Sequence, residues 1–169
     1  MSRQPRPPIE ATLKFCVEQA EALKRSPDHW RWLTIGLVIA LQEACVIALT
    51  SYETASREDI RKPGTDQIAS LKTLLRRVRS EDYLLPPEKL TASESNVKKA
   101  LEFQAARNLF SHIEPGTKPP DLTMLTDQAE AVLQLMDHLL VSHPAFDAPN
   151  LSRSASDHLK TLRQLLGQN

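Results

Sequence analysis

The 169-residue chain carries 21 Lys and Arg residues against 21 Asp and Glu residues, so its net charge at pH 7 is zero. A protein that coats nucleic acid would be strongly basic, and this balance argues against that class while leaving room for one local contact. With 41% hydrophobic and 25% charged residues, the composition is that of a folded soluble protein, and the length predicts one domain spanning residues 1–169.

Cysteine usage and hydropathy together predict a cytoplasmic protein. Cys16 and Cys45 both fall on apolar helix faces, with no CxxC motif or Cys/His cluster, as is typical of small core residues in a reducing compartment. The first ten residues, MSRQPRPPIE, are polar and proline-rich, unlike a signal peptide. Gln42 and Glu43 interrupt the most apolar run, Leu33 to Leu49, which is also shorter than a span of roughly 20 residues, so no membrane segment is expected.

Twelve prolines divide the chain into segments with helical periodicity, and no alternating strand pattern of useful length is present. The pattern predicts an all-α fold, a compact bundle of about five to six helices, with a core over residues 8–143. The first helix is predicted from about Pro8 to Lys24 and the second from about His29 to Thr54.

The second predicted helix is apolar around nearly its whole circumference, which indicates the buried centre of a bundle or an oligomer interface. Gly36 permits a close helix crossing. Glu43 lies on this apolar helix and needs a partner, because a lone buried carboxylate is costly. Two interpretations remain open: Glu43 forms a structural ion pair with a cation, or it has a role near a functional site.

A polar loop over residues 56–65 leads to a shorter predicted helix, from about Asp66 to Arg79. Lys72, Arg76 and Arg79 form a basic stripe along it, at spacings of four and three. Such a stripe fits an RNA phosphate backbone or an ordinary solvated helix face.

Three more helices are predicted in the second half of the chain. The first begins near Thr91 or Ser93 and ends near His112 or Ile113, before Pro115. The next begins at Asp121, a good N-cap, and ends near Val141. His138 and His143 near its end are expected at the surface. The C-terminal helix is predicted over about 156–167, capped by Ser156 after a loop.

The residues that remain as candidates for a chemical site lie in one short stretch, ARNLFSHIEP, and are Arg107, Asn108 and His112. The chain lacks a Gly-rich phosphate loop, HExxH, GxSxG, kinase signatures and paired carboxylates, so neither a metal nor a cofactor is expected. Arg153 and His158 repeat the bare Arg…His spacing. That match lacks the Asn after the Arg and is predicted to lie in a Ser-rich loop, so it is interpreted as a coincidence.

This stretch resembles the hallmark of the HEPN superfamily (higher eukaryotes and prokaryotes nucleotide-binding domain). In that hallmark an Arg and a polar residue precede a His by a gap of four to six residues, here Arg107, Asn108 and His112. The form RNxxxHxxP is similar to small stand-alone bacterial members. The resemblance implies a HEPN-like helical bundle that forms a homodimer and acts as a metal-independent endoribonuclease. The setting that it implies is that of a toxin or phage-defence component with a protein antitoxin or regulator.

The mechanism implied by the resemblance cleaves RNA through its 2′-hydroxyl. His112 would move the proton, Arg107 would hold the scissile phosphate, and Asn108 would orient one of them. DNA lacks the 2′-hydroxyl and would not be cut. Some toxin members carry a modifiable Tyr two positions after the His. Here that residue is Glu114, which argues against antitoxin control by that route.

Helix geometry sets a condition on this site. On a regular helix Arg107 and His112 point about 140° apart, so either the Arg side chain bends across, the helix end distorts, or a twofold partner supplies the other half. The last arrangement predicts an inactive monomer. In the structural alternative, Arg107 pairs with Glu102 or Glu114 and His112 caps the helix. In the functional alternative, the protein is a non-catalytic helical module that binds a partner protein or nucleotide.

Overall fold

Six α-helices and no β-strand make up the part of the chain that the computed structural model describes, residues 6–112, 114–116 and 118–167. The helices are α1 (Ile9–Ala22), α2 (His29–Leu49), α3 (Leu71–Val78), α4 (Glu94–Ser111), α5 (Leu122–Asp137) and α6 (Pro149–Gly167). A 3-10 helix, Arg57–Ile60, precedes α3, and a π-helix, His138–Ser142, continues α5. The predicted all-α bundle of five to six helices is confirmed.

Local capping chemistry fixes several helix ends. The hydroxyl of Ser93 accepts a hydrogen bond from the Asn96 N–H, so α4 begins after Ser93 rather than Thr91. Asp121 caps α5 as predicted, accepting a hydrogen bond from the Thr123 N–H at 3.0 Å. These caps satisfy backbone N–H groups that have no partner inside the helix.

Three predicted boundaries are wrong. α2 ends at Leu49, five residues before the predicted Thr54. α3 begins at Leu71 rather than Asp66, because Ser70 caps it and Ile68 pairs with Arg61 in an isolated bridge. The C-terminal helix begins at Pro149 rather than near 156, since proline suits the first helical position and the following residues continue the helix.

α2 lies at the centre of the fold, in contact with α1, α3, α4 and α5. Its buried residues come from nearly every side of the helix: Trp30, Leu33, Thr34, Gly36, Leu37, Val38, Ala40, Leu41, Ala44, Cys45, Ile47, Ala48 and Leu49. With 21 residues, α2 is longer than the predicted apolar run, and by length and composition it could cross a membrane. Since 67% of its apolar window is buried among the other helices, it matches the core helix of a soluble protein.

The contact between α1 and α2 depends on Gly36. A Cβ at that position would lie 2.8 Å from Cys16 Sγ and 3.0 Å from a carbon of the Phe15 ring. One turn further toward the C-terminus of α1, Gln19 Oε1 lies 2.9 Å from His29 Nδ1 at the start of α2. The predicted close crossing is confirmed, and the two helices run antiparallel.

α4 and α5 also run antiparallel. Asn96 donates a hydrogen bond to Gln134, and one turn further along α4 the Lys99 ammonium lies 2.9 Å from the Asp127 carboxylate. This pairing places the C-terminal end of α4 beside the N-terminal end of α5. Arg107, Asn108 and His112 therefore lie at the end of the bundle where α4 leads into the loop before Asp121.

The crossing at Gly36 yields a stability prediction. Gly36→Val adds two methyl groups where one Cβ is already too close to Cys16 Sγ. Overpacking of this kind lowers the free energy of unfolding by about 1–3 kcal/mol, which exceeds the few tenths gained from better helix propensity. Urea denaturation measures the change.

Gly167→Val is the matched control, because nothing lies within 4 Å of a Cβ at Gly167. Its expected effect is within about 0.5 kcal/mol. Equal stability of Gly36→Val and the wild type would contradict the close crossing.

Candidate active site at the end of α4

The last turn of α4 breaks the helical path at His112. The helix ends at Ser111, and His112 has φ −115° and ψ 97°, an extended conformation. The His112 N–H still donates to the Asn108 carbonyl at 3.0 Å, and the Ser111 hydroxyl donates to the Arg107 carbonyl at 2.9 Å. The alternative helix end at Ile113 lies outside the described residues.

Arg107 differs from its two motif partners in burial. It follows Phe103 by four residues and Ala100 by seven, so it continues the buried face of α4 and is itself half-buried. Asn108 and His112 are exposed. The motif thus combines a guanidinium anchored at the core side with two polar groups facing water.

The Arg107 guanidinium has no hydrogen bond or ion pair with any described residue, and its Nε is buried. The alternative pairing with Glu102 or Glu114 is therefore absent from the described residues; Glu102 instead lies 3.8 Å from the Lys98 ammonium. His112 does occupy the C-cap position, as that alternative expected. An unsatisfied buried donor costs free energy, which a bound acceptor would recover.

The extended backbone at His112 changes the geometric condition on the site. The separation of about 140° holds only for a regular helix, and His112 is outside the helix. The backbone leaves the regular helix at His112, so that separation does not by itself require a twofold partner. The described residues contain no hydrogen bond between the three motif side chains.

The predicted basic stripe is only partly available to a ligand. Lys72 and Arg76 are exposed and form no ion pair with a described residue, whereas Arg79 is paired with Glu94 at the start of α4. Glu94 precedes Arg107 by 13 residues, or about 20 Å along the helix. The structure therefore does not bring the stripe and the motif together at one point.

Arg77, which the sequence analysis did not single out, is the buried cation of α3. Its Nη1 donates to three backbone carbonyls around the 3-10 helix, those of Glu58, Asp59 and Arg61, at 3.3, 2.8 and 3.0 Å. Its guanidinium also lies 5.7 Å from the centre of the Tyr83 ring. Arg77 thereby holds the segment before α3 against that helix, a structural role.

The second Arg…His match lies on α6 and not in the predicted loop. Arg153 is exposed, and His158 Nδ1 lies 2.8 Å from the Ser154 carbonyl, one turn earlier in the helix. Because both residues are inside a regular helix, they lack the helix-end setting of Arg107 and His112. Arg153 and His158 therefore serve as a control, within the same chain, for the spacing of Arg107 and His112.

The predicted ion-pair partner of Glu43 is absent from the described residues. Burial raises the pKa of Glu43, and a hydrogen bond from the Thr12 side chain opposes that shift. Its Oε2 is buried without a hydrogen bond. Both cysteines are buried as predicted. Burial, with a contribution from Glu43, raises the pKa of Cys16 to about 12, and burial raises that of Cys45 to about 12.

A pair of histidines meets in the π-helix. The ring centres of His138 and His143 are 4.9 Å apart, and His138 Nε2 lies 3.3 Å from the Glu88 carbonyl. His143 is exposed as predicted, but His138 is half-buried, so its predicted surface position is wrong. Burial is the main cause that lowers the pKa of His138. Side chains five apart meet only where the helix widens, which periodicity did not reveal.

Within the described ranges, no group of three or more His, Cys, Asp or Glu side chains is placed to hold a metal ion. No protein-family model matches the chain, and no similar curated protein or solved structure was found. The site must therefore be judged from its own residues.

The half-buried His138 predicts a loss of stability in acid. Its pKa is lowered in the folded state, so below the ordinary His value of about 6.5 the unfolded chain binds more protons. The unfolding free energy should therefore fall as the pH drops through about 6.5 toward the lowered pKa of the folded state. In His138→Gln, which keeps a donor for the Glu88 carbonyl, this fall should be smaller. An identical pH dependence in the two proteins would contradict the assignment.

Proposed function

We propose that the chain is a metal-independent endoribonuclease of HEPN type, acting through Arg107, Asn108 and His112. The observation that carries the proposal is the half-buried Arg107 guanidinium without a partner among the described residues, next to two exposed polar side chains. A phosphate provides the paired acceptors that a guanidinium fork binds best. The three residues lie at a helix end, where Asn108 and His112 are exposed to solvent.

In the proposed reaction, the 2′-oxygen of one nucleotide attacks the adjacent phosphorus. A bond forms between the 2′-oxygen and phosphorus, and the bond from phosphorus to the 5′-oxygen breaks. The products are a 2′,3′-cyclic phosphate and a 5′-hydroxyl. His112 takes the proton from the 2′-hydroxyl or delivers one to the leaving 5′-oxygen, with water completing the transfer.

Arg107 and Asn108 act on the phosphate in this scheme. The Arg107 guanidinium holds the two non-bridging oxygens and stabilises the charge that builds up on them in the transition state. Asn108 donates a further hydrogen bond from the exposed side of α4. Lys72 and Arg76 bind the RNA backbone further along the molecule.

We place the proposed site in one chain, because the backbone becomes extended at His112 and the 140° separation of a regular helix then no longer fixes the direction of its side chain. The protein forms a homodimer with one complete site in each chain. Its proposed setting, a toxin or phage-defence component restrained by a protein antitoxin or regulator, rests on the resemblance alone.

A second candidate is a non-catalytic module that binds a partner protein. Exposed apolar side chains near the motif favour it, since Leu109 lies between the motif residues and both Leu122 and Met124 are exposed at the start of α5. A protein partner would bind these side chains, whereas RNA cleavage does not need them.

The proposal predicts RNA cleavage in EDTA that depends on the motif. His112→Ala removes the proton-transfer group, and the cleavage rate should fall about 100-fold or more. Arg107→Ala should cause a similar loss, and Arg107→Lys should restore little because an ammonium lacks the two-pronged grip. Single-turnover cleavage of a labelled RNA measures these rates.

The double variant Arg153→Ala with His158→Ala is the matched control, since it removes the same residue types at the same spacing from α6. Its cleavage rate should equal that of the wild type. Cleavage that persists in His112→Ala would overturn the proposal. Unaltered RNA in the presence of the wild type would favour the binding module.

A further inference from the structure

One face of α2 remains open to solvent although the rest of the helix is buried. Trp32 is 47% exposed and Ile39 is 44% exposed, and the half-buried Ile35 and Val46 continue the same face at helical spacing. Phe15 of α1, which contacts Gly36 beside this face, is 37% exposed. We call this row of five side chains the α2 stripe.

The α2 stripe is flanked by two opposite charges that lack ion-pair partners. The Arg31 guanidinium lies over the Trp32 ring, 5.1 Å from its centre, and its Nε is buried without a hydrogen bond. Glu43 lies near the other end of the stripe, with Oε2 buried and likewise unbonded. No described residue forms an ion pair with either side chain. Half-buried charges at the edge of an apolar face are stabilised by a partner of opposite sign.

The positions of these charges match a twofold axis. Arg31 is six residues before Leu37 and Glu43 is six residues after it. If two copies of α2 pack antiparallel about the level of Leu37, Arg31 of each copy is level with Glu43 of the other. Ile35 and Ile39 are related in the same way, two residues on either side of Leu37. A self-complementary surface of this kind is what a twofold dimer requires.

The crossing angle decides whether the charges can meet. Arg31 and Glu43 lie about 120° apart around α2, on opposite edges of the stripe, so strictly parallel axes would keep them on opposite sides. At the commonest crossing angle between packed helices, about −50°, the tilt of the two axes brings the edge with Arg31 on one copy toward the edge with Glu43 on the other. Ideal geometry then places the two Cβ atoms about 7 Å apart, within reach of an Arg–Glu ion pair.

We propose that a second copy of the chain docks on the α2 stripe, with two reciprocal ion pairs between Arg31 of one copy and Glu43 of the other. The apolar side chains supply the attraction, and the charges set the antiparallel register. A second copy satisfies the opposite charges on the two edges of the stripe reciprocally, each Arg31 with the other copy's Glu43.

The test is the mass in solution of charge variants. One chain has a mass of 19.0 kDa, so two copies have twice that, 38.0 kDa. The wild type should sediment as the dimer in the high micromolar range. Glu43→Arg and Arg31→Glu place like charges opposite each other, and each should weaken dimerisation about tenfold or more. The double variant with both exchanges restores opposite charges and should dimerise again.

Two further variants make the result interpretable. Trp32→Glu replaces an apolar side chain of the stripe with a charge and should give a monomer whose circular dichroism spectrum is that of the wild type. Leu85→Asp changes a side chain that is 60% exposed away from the stripe and should remain dimeric. A monomeric wild type would overturn the proposal and leave the stripe to another protein or a lipid surface. Failure of the double exchange to restore the dimer would also overturn it.

Oligomeric state and RNA cleavage are independent readouts. Because each proposed site is contained in one chain, folded monomeric Trp32→Glu should cleave RNA at the wild-type rate per chain. A dimeric wild type that does not cleave RNA would support the docking proposal and contradict the ribonuclease proposal. A monomeric wild type that cleaves RNA would contradict the docking proposal and support the ribonuclease proposal.

Discussion

Burying α2 is the constraint on which the rest of the structure depends. A helix that is apolar on nearly every side cannot be stable in water alone, and each large aliphatic side chain removed from water contributes roughly 1.5–3 kcal/mol. Four helices pack on it, namely α1, α3, α4 and α5. Because Gly36 has no side chain, Cys16 and Phe15 of α1 can lie against the backbone of α2. The α2 stripe is what this packing leaves uncovered. The same constraint thus accounts for the core and for the surface proposed to bind a second copy.

The candidate site follows from how α4 ends. The helix carries Arg107 on its core side until the chain turns away at His112, so the last turn holds a cation that no described residue neutralises. A zero net charge does not conflict with nucleic-acid binding at such a point, since one unpaired guanidinium binds a phosphate locally. Arg79 illustrates the contrast, because Glu94 neutralises it.

Proline punctuation and apolar periodicity were enough to predict the all-α fold, the number of helices, the Asp121 cap and the close approach at Gly36. They failed where a feature depends on tertiary contacts. Arg76 and Arg77 are adjacent and chemically identical in the sequence, yet only Arg77 points to the carbonyls of the 3-10 helix. The start of α6 was missed because Pro149 was interpreted as part of a loop, although proline also begins helices.

The amino-acid pattern predicted which residues form the candidate site but not how they are arranged in space. Arg107, Asn108 and His112 are close in sequence, so their shared position near the end of α4 followed from the helix prediction. The extended backbone at His112 did not follow, because it depends on where the last turn ends. The π-helix was likewise hidden, since a five-residue spacing between His138 and His143 has no meaning in a regular α-helix.

We propose that the end of α4 cleaves RNA by means of the 2′-hydroxyl. The most direct measurement compares an RNA oligonucleotide with the same oligonucleotide methylated at the 2′-oxygen of the cleaved position, both in EDTA. The unmodified RNA should give fragments with a 5′-hydroxyl and a 2′,3′-cyclic phosphate, and methylation should stop cleavage at that position. Cleavage of the methylated RNA at the same position, or cleavage only after a divalent metal is added, would contradict the proposal.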